Sequence, residues 1–280
     1  MSRYILSAFA DEYAASAREQ LQALCRFGIG YVELRGVDGK NISSLTPCEV
    51  AALKLLLDEY GIRVSAIGSP IGKIALDGDL EGHFALARNT FEAARTLGTR
   101  YVRMFSFYAP AGKCITECRS QVLEALGRLL DLADEYGVVL CHENEAAIFG
   151  DTPQRCLELI RYFEGRLRCV FDMGNFVLEG VDPTVAYRLL QPHIAYFHIK
   201  DALGAGAVVP PGKGEACIGE ILRAHSSYAK EDFFVSLEPH LQTFDGLNAL
   251  VGRSFENPYQ YPDARAAFED AVHKFREIML

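Results

Sequence analysis

A single (β/α)8 barrel over residues 1–280 is the fold class this sequence predicts, and three observations carry it. Short apolar runs alternate with amphipathic stretches from end to end, eight such units fit into 280 residues, and no linker or low-complexity tract divides them. Alternation of this kind implies a parallel sheet with right-handed crossovers. Eight units in a chain of this length close most naturally into a barrel. A doubly wound open sheet is the competitor, but it would carry a glycine-rich phosphate turn after its first strand. Ala10-Asp11-Glu12 stands there instead.

The elements follow in order. Strand 1 is expected over about 3–9, and a helix near 14–27 places Leu21, Leu24 and Cys25 on one face and stops at Gly28. Strand 2 runs from Ile29 to Arg35. Thr46-Pro47-Cys48-Glu49 is a capping box with proline at the first helical position, so helix 2 starts there and ends at Gly61. Strand 3 is 62–67, helix 3 runs from Leu80 to Leu97 with Gly98 behind it, and strand 4 is 101–105. Helix 4 spans roughly 115–135, its apolar face marked by Val122, Leu126, Leu129, Leu130 and Ala133, with Gly137 as its stop. Strand 5 begins at Val138. Thr152-Pro153 and Asp182-Pro183 open helices 5 and 6, a short helix 7 lies near 217–226, and a last helix covers 263–279. The connection 239–262 is long, with Gly246, Gly252 and Pro258, and on a catalytic face it would read as a lid or contact surface.

Composition narrows the partners. Half of the residues are hydrophobic and 23% are charged, which excludes disordered and fibrous classes. A net charge of −9 without a basic run argues against nucleic acid. No stretch approaches the ~18 apolar residues of a membrane span. The first seven residues lack a cleavable apolar segment. The eight cysteines (25, 48, 114, 118, 141, 156, 169 and 217) therefore read as reduced core residues of a cytoplasmic protein. Cys114 and Cys118 have helical spacing, but no second pair accompanies them to complete a zinc set.

Chemistry gathers at four strand ends. Val138–Glu145, Cys169–Asp172, Ala195–His198 and Phe233–Glu238 are apolar runs that close on Glu143, Asp172, His198 and Glu238. Buried parallel strands present ligands at their carboxyl ends. In a barrel these four ends lie side by side on one rim, on strands 5 to 8. Three carboxylates and an imidazole suit one divalent ion, Mn²⁺ before Zn²⁺, Co²⁺ or Mg²⁺. Any one of them alone would read as a solvated or salt-bridged rim residue.

The segments His142-Glu143-Asn144-Glu145, Phe171-Asp172-Met173-Gly174-Asn175, Phe197-His198-Ile199-Lys200-Asp201 and Leu237-Glu238-Pro239-His240 resemble the xylose-isomerase-like TIM-barrel superfamily. That group holds ketose 3-epimerases, inosose dehydratases and endonuclease IV-type enzymes. Gly212-Lys213-Gly214-Glu215 also looks like the glycine-bearing loop that follows the seventh strand there. The resemblance implies a metal-dependent isomerase or epimerase acting on a sugar, a sugar phosphate or a related polyol ketone. It implies that Glu143 and Glu238 both bind the ion and face opposite sides of the substrate as a proton-transfer pair. An inosose-type dehydratase is the first alternative. A phosphodiester hydrolase would need many more histidines than the seven present and a basic groove, and a non-catalytic sugar-binding barrel would not need both glutamates. The chain departs from the group at Asn175, where many members have His. Homo-oligomerisation is left open.

Other strand ends supply the expected substrate contacts. Glu33 and Arg35 share a parity on strand 2, as do Arg103 and Phe105 on strand 4. A buried charge needs a partner, so Glu33 would pair with Arg35 or Arg103. Arg103 or Lys73 would meet a hydroxyl or anionic group, Lys200 lies just beyond His198 with the same parity, and His240 follows Glu238 closely enough to reach the site. Phe105 would offer an apolar wall. His142 is out of phase with Glu143 and is expected outside the barrel or behind the ligands.

Overall fold

In the computed structural model, which describes residues 2–241 and 259–280, eight parallel strands form one sheet. They are β1 (Tyr4–Ala8), β2 (Tyr31–Leu34), β3 (Arg63–Gly68), β4 (Tyr101–Met104), β5 (Val139–Glu143), β6 (Arg168–Asp172), β7 (Ile194–Ile199) and β8 (Phe233–Leu237). The ladder runs β1-β8-β7-β6-β5-β4-β3-β2, and its two end strands, β1 and β2, lie side by side. The expected (β/α)8 barrel is the fold observed.

Helices α1 (Ala17–Arg26), α2 (Pro47–Tyr60), α3 (Leu80–Leu97), α4 (Arg119–Tyr136), α5 (Pro153–Tyr162), α6 (Met173–Leu178), α7 (Pro183–Leu190), α8 (Ile218–Tyr228) and α9 (Ala264–Met279) cover the outside. The capping box at Thr46 and Glu49 forms as expected, and α3 and α4 end on Gly98 and Gly137 in the left-handed region. Thr152 and Asp182 each accept hydrogen bonds from the first turns of α5 and α7. Three corrections arise. The expected start of helix 4 is a separate 3-10 turn, Ile115–Cys118. The six-residue α6 has no counterpart among the expected elements, nor have two small hairpins, Gly36–Val37 with Lys40–Asn41 and Asp201–Leu203 with Ala207–Val209. Of the cysteines, only 118, 141, 156 and 169 are buried, while 25, 48, 114 and 217 are exposed. The long connection expected over 239–262 falls mainly on residues 242–258, which lie outside the described residues. Among the described residues, no helix is long and apolar enough to cross a membrane.

Side-chain parity sets the site. Ala66, Cys141, Val170 and Tyr196 pack together as a layer inside the barrel. Two residues further along their strands stand Gly68, Glu143, Asp172 and His198, which therefore share the interior face at its C-terminal end. The intervening Phe171 and Phe197 point outward, against Phe176 and Tyr187 and against His225 respectively.

Candidate functional site

The four strand-end residues come together. One donor atom from each of Glu143, Asp172, His198 and Glu238 lies within 4.8 Å of the others, and all four side chains are buried. Glu143 and Asp172 end their strands, whereas His198 is the penultimate residue of β7 and Glu238 follows β8 directly. His198 Nδ1 is 3.0 Å from Glu143 Oε1 and 3.2 Å from Glu238 Oε2. Three carboxylates and an imidazole gathered this closely could hold one divalent cation. Five carboxylates (Asp11, Glu33, Glu143, Asp172, Glu238) share the rim with Arg35, Arg103, Lys200 and the His198 imidazole, while burial pushes the carboxyl of Glu12 up to about 8.

Hydrogen bonds from other residues fix each donor. Glu33 lies behind His198, its carboxylate 3.2 Å from Nε2, and also accepts from Tyr196 Oη at 2.9 Å. The expected pairing of Glu33 with Arg35 or Arg103 is thus replaced by one with His198. β2 and β7 face each other across the barrel, and Tyr196 and His198 fill the space between them. Asn144 donates to the Asp172 carbonyl at 3.0 Å and accepts from the Asp172 amide at 3.1 Å, joining the ends of β5 and β6. Asp172 Oδ1 in turn accepts from Asn175 N–H at 2.8 Å, capping α6. This brings Asn175 to the edge of the cluster, its amide nitrogen 2.9 Å from Asn144 O and 3.4 Å from Glu143 Oε1.

Two arginines hold the other oxygens of the glutamates. Arg103 Nη1 donates to Glu143 Oε2 at 2.8 Å and lies 3.9 Å from Glu238 Oε1. Arg35 Nη1 donates to Glu238 Oε1 at 2.8 Å while its other nitrogens hold Asp11 and Glu12. Both guanidinium groups rest on the Phe9 ring, 4.6 and 5.4 Å from its centre. Gly68 makes room for that ring, since a Cβ there would sit 2.4 Å from it. Burial alone would raise the carboxyl of Glu143, but His198 and Arg103 outweigh it and hold it below the usual range. For Asp172 burial prevails over Lys200 and pushes the carboxyl up to about 6. Burial would lower the His198 imidazole, yet Glu143, Glu33 and Glu238 raise it well above its ordinary value.

Above the cluster opens a cavity of about 530 Å³ bounded by Arg35, Lys73, Arg103, Lys200, His240 and the two glutamates, among others. Lys73 pairs with Glu145 at 2.8 Å. Phe105 is fully buried and outside the cavity lining, so the expected wall lies one layer down, carrying Lys73 and Arg103 on its ring. His240, in the left-handed region at φ 47°, turns its ring to Glu12 and Glu238 at 3.3 and 3.4 Å. His142 points away from the cavity and meets Ser106 Oγ at 2.9 Å. Sequence reasoning missed Asp11 and Glu12, although two acids closing strand 1 were a visible signal, and it missed Phe9, Tyr196 and Asn144.

The chain belongs to the xylose isomerase-like TIM-barrel family, whose model matches residues 21–243. No curated protein matches it. Among solved structures, it is similar to a xylose isomerase-like TIM-barrel protein from Mycobacterium smegmatis in complex with magnesium (15% identity, 100% of this chain and 97% of that one, TM-score 0.70). A probable 3-DHS dehydratase, AsbF, from Bacillus anthracis is 17% identical over 99% of both chains, with a TM-score of 0.73. A D-allulose 3-epimerase from Methylomonas sp. in complex with D-allulose is 17% identical over 100% of this chain and 98% of that one, also at 0.73.

Proposed function

We propose that the protein is a divalent-metal-dependent isomerase or epimerase of a sugar or related polyol ketone, with Glu143, Asp172, His198 and Glu238 as the metal ligands and Mn²⁺ as the ion. The observation that carries this reading is the arrangement of the two glutamates. Each turns one oxygen to His198 at the cluster, and each lines the cavity with its second oxygen held by an arginine. When bound, the ion would polarise a carbonyl and its neighbouring hydroxyl and so acidify the C–H between them. One glutamate removes that proton and the other returns it from the opposite side. Arg103, with only 6% of its side chain exposed, lines the cavity beside Glu143 and meets a substrate oxygen there. Lys73 and His240 border the same space and position hydroxyls.

Incubating the manganese-loaded protein with a panel of ketoses and polyol ketones in D₂O tests this. Deuterium entering one C–H position, with a new stereoisomer visible by NMR and loss of both effects on chelation, is the expected result. Loss of water with a new ultraviolet absorbance would assign the dehydratase chemistry instead. No exchange with any compound of the class would overturn the reading.

A further inference from the structure

We infer that Lys200 is a built-in competitor of the metal ion, its ammonium neutralising the ligand carboxylates when no ion is bound and weakening the ion's hold when one is. The inference rests on the proposed ligand set and concerns a residue outside it. Lys200 follows β7 and is 4% exposed. Its Nζ donates to Asp172 Oδ2 at 2.8 Å and to Glu238 Oε2 at 3.3 Å, so it shares oxygens with two of the four proposed ligands. Glu238 Oε2 is also the oxygen of that glutamate that faces His198 Nδ1, at 3.2 Å. Asp172 Oδ1 is committed to the cap of α6, which leaves Oδ2, the lysine's partner, as the oxygen with more capacity for an ion.

This contact is built into the chain. A Cβ at Gly174 would lie 2.7 Å from Lys200 Cγ and 2.8 Å from both its Cβ and its carbonyl oxygen. Only glycine lets the lysine stem pass across the start of α6 to reach the carboxylates. The third partner of Nζ is Asn175 Oδ1, at 3.2 Å. That bond, with Asn175 Nδ2 on Asn144 O, turns the amide nitrogen rather than its oxygen toward Glu143. While the ammonium stays in place, Asn175 cannot offer its oxygen to an ion.

A unit charge a few ångströms from a divalent ion, in a site this enclosed, costs binding free energy that water does not screen away. A lysine that merely oriented Asp172 would act in the opposite sense, because its removal would loosen a ligand and weaken the ion. The two roles therefore differ in sign.

The experiment is Mn²⁺ binding by the metal-stripped full chain, read by competition with a fluorescent chelator. Lys200→Met keeps the stem and removes the charge. It should bind one ion at least about tenfold more tightly than the unaltered protein. Equal or weaker binding would overturn the inference. An unaltered protein that binds Mn²⁺ one to one, with no gain in the variant, sinks only the lysine's role; failure of both proteins to bind sinks the ligand set as well. A second readout needs no variant. Acetylation of lysines, followed by mass spectrometry, should find Lys200 protected in the stripped protein and labelled several times faster once Mn²⁺ is added. Unchanged labelling contradicts the proposal.

Discussion

His198 Nε2 lies 3.2 Å from the Glu33 carboxylate, leaving Nδ1 as the nitrogen turned to Glu143 and Glu238. A partner on the far nitrogen fixes the tautomer and ring orientation of a ligating histidine and strengthens it as a donor. Glu33→Gln keeps the shape but removes the charge. We expect it to weaken Mn²⁺ affinity by about 10–100-fold while the far-ultraviolet circular dichroism of the barrel stays unchanged. Undiminished affinity in a chelator competition would show that the pair is structural only.

Removing a ligand should be far more severe than removing its neighbour. Saturating Mn²⁺ at about 100 times its dissociation constant should stabilise the protein by ~2.7 kcal/mol, seen as a rise in Tm. Asp172→Ala and His198→Ala should lose both the bound metal and that rise. Asn175→Ala should retain one ion per chain, because its amide nitrogen and not its oxygen faces Glu143. Elemental analysis decides the matter, and a full complement of metal in His198→Ala would dismantle the ligand set.

Gly68→Ala tests the floor of the site. The added Cβ would meet Phe9 Cε1 at 2.4 Å, and that ring is fully buried, edge-on to His198 at 5.1 Å. Overpacking of this kind typically costs about 1–3 kcal/mol. Chemical denaturation should show a loss in that range. A variant as stable as the parent would mean that Phe9 shifts freely and does not anchor Arg35 and Arg103.

Which features could be read in the sequence follows from their range. Glu143, Asp172, His198 and Glu238 stood out because each closes an apolar run, and interior parity is a local property of a strand. The caps at Thr46, Thr152 and Asp182 are equally local. The pairing of Glu33 with His198 spans 165 residues and the width of the barrel, so nothing in the neighbourhood of Glu33 distinguishes it from a pairing with Arg35. α6 is hard to see in sequence because it is six residues long and its cap, Asp172, is also the last residue of β6. Cys25 stands between Leu24 and Phe27 in sequence, yet is exposed, a difference that packing decides. Residues 242–258 lie outside the described residues, so the lid expected there stands as an expectation.

The proposed proton transfer between Glu143 and Glu238 can be read from deuterium exchange in the two glutamine variants. Glu143→Gln and Glu238→Gln preserve size and most hydrogen bonding while removing the basic oxygen. With a turned-over substrate, each variant should lose at least about 10²-fold in turnover. One of the two should still wash deuterium from D₂O into the substrate C–H without completing the change of configuration, because the glutamate serving that face remains. Near-normal turnover in both variants would assign the proton transfer to another residue.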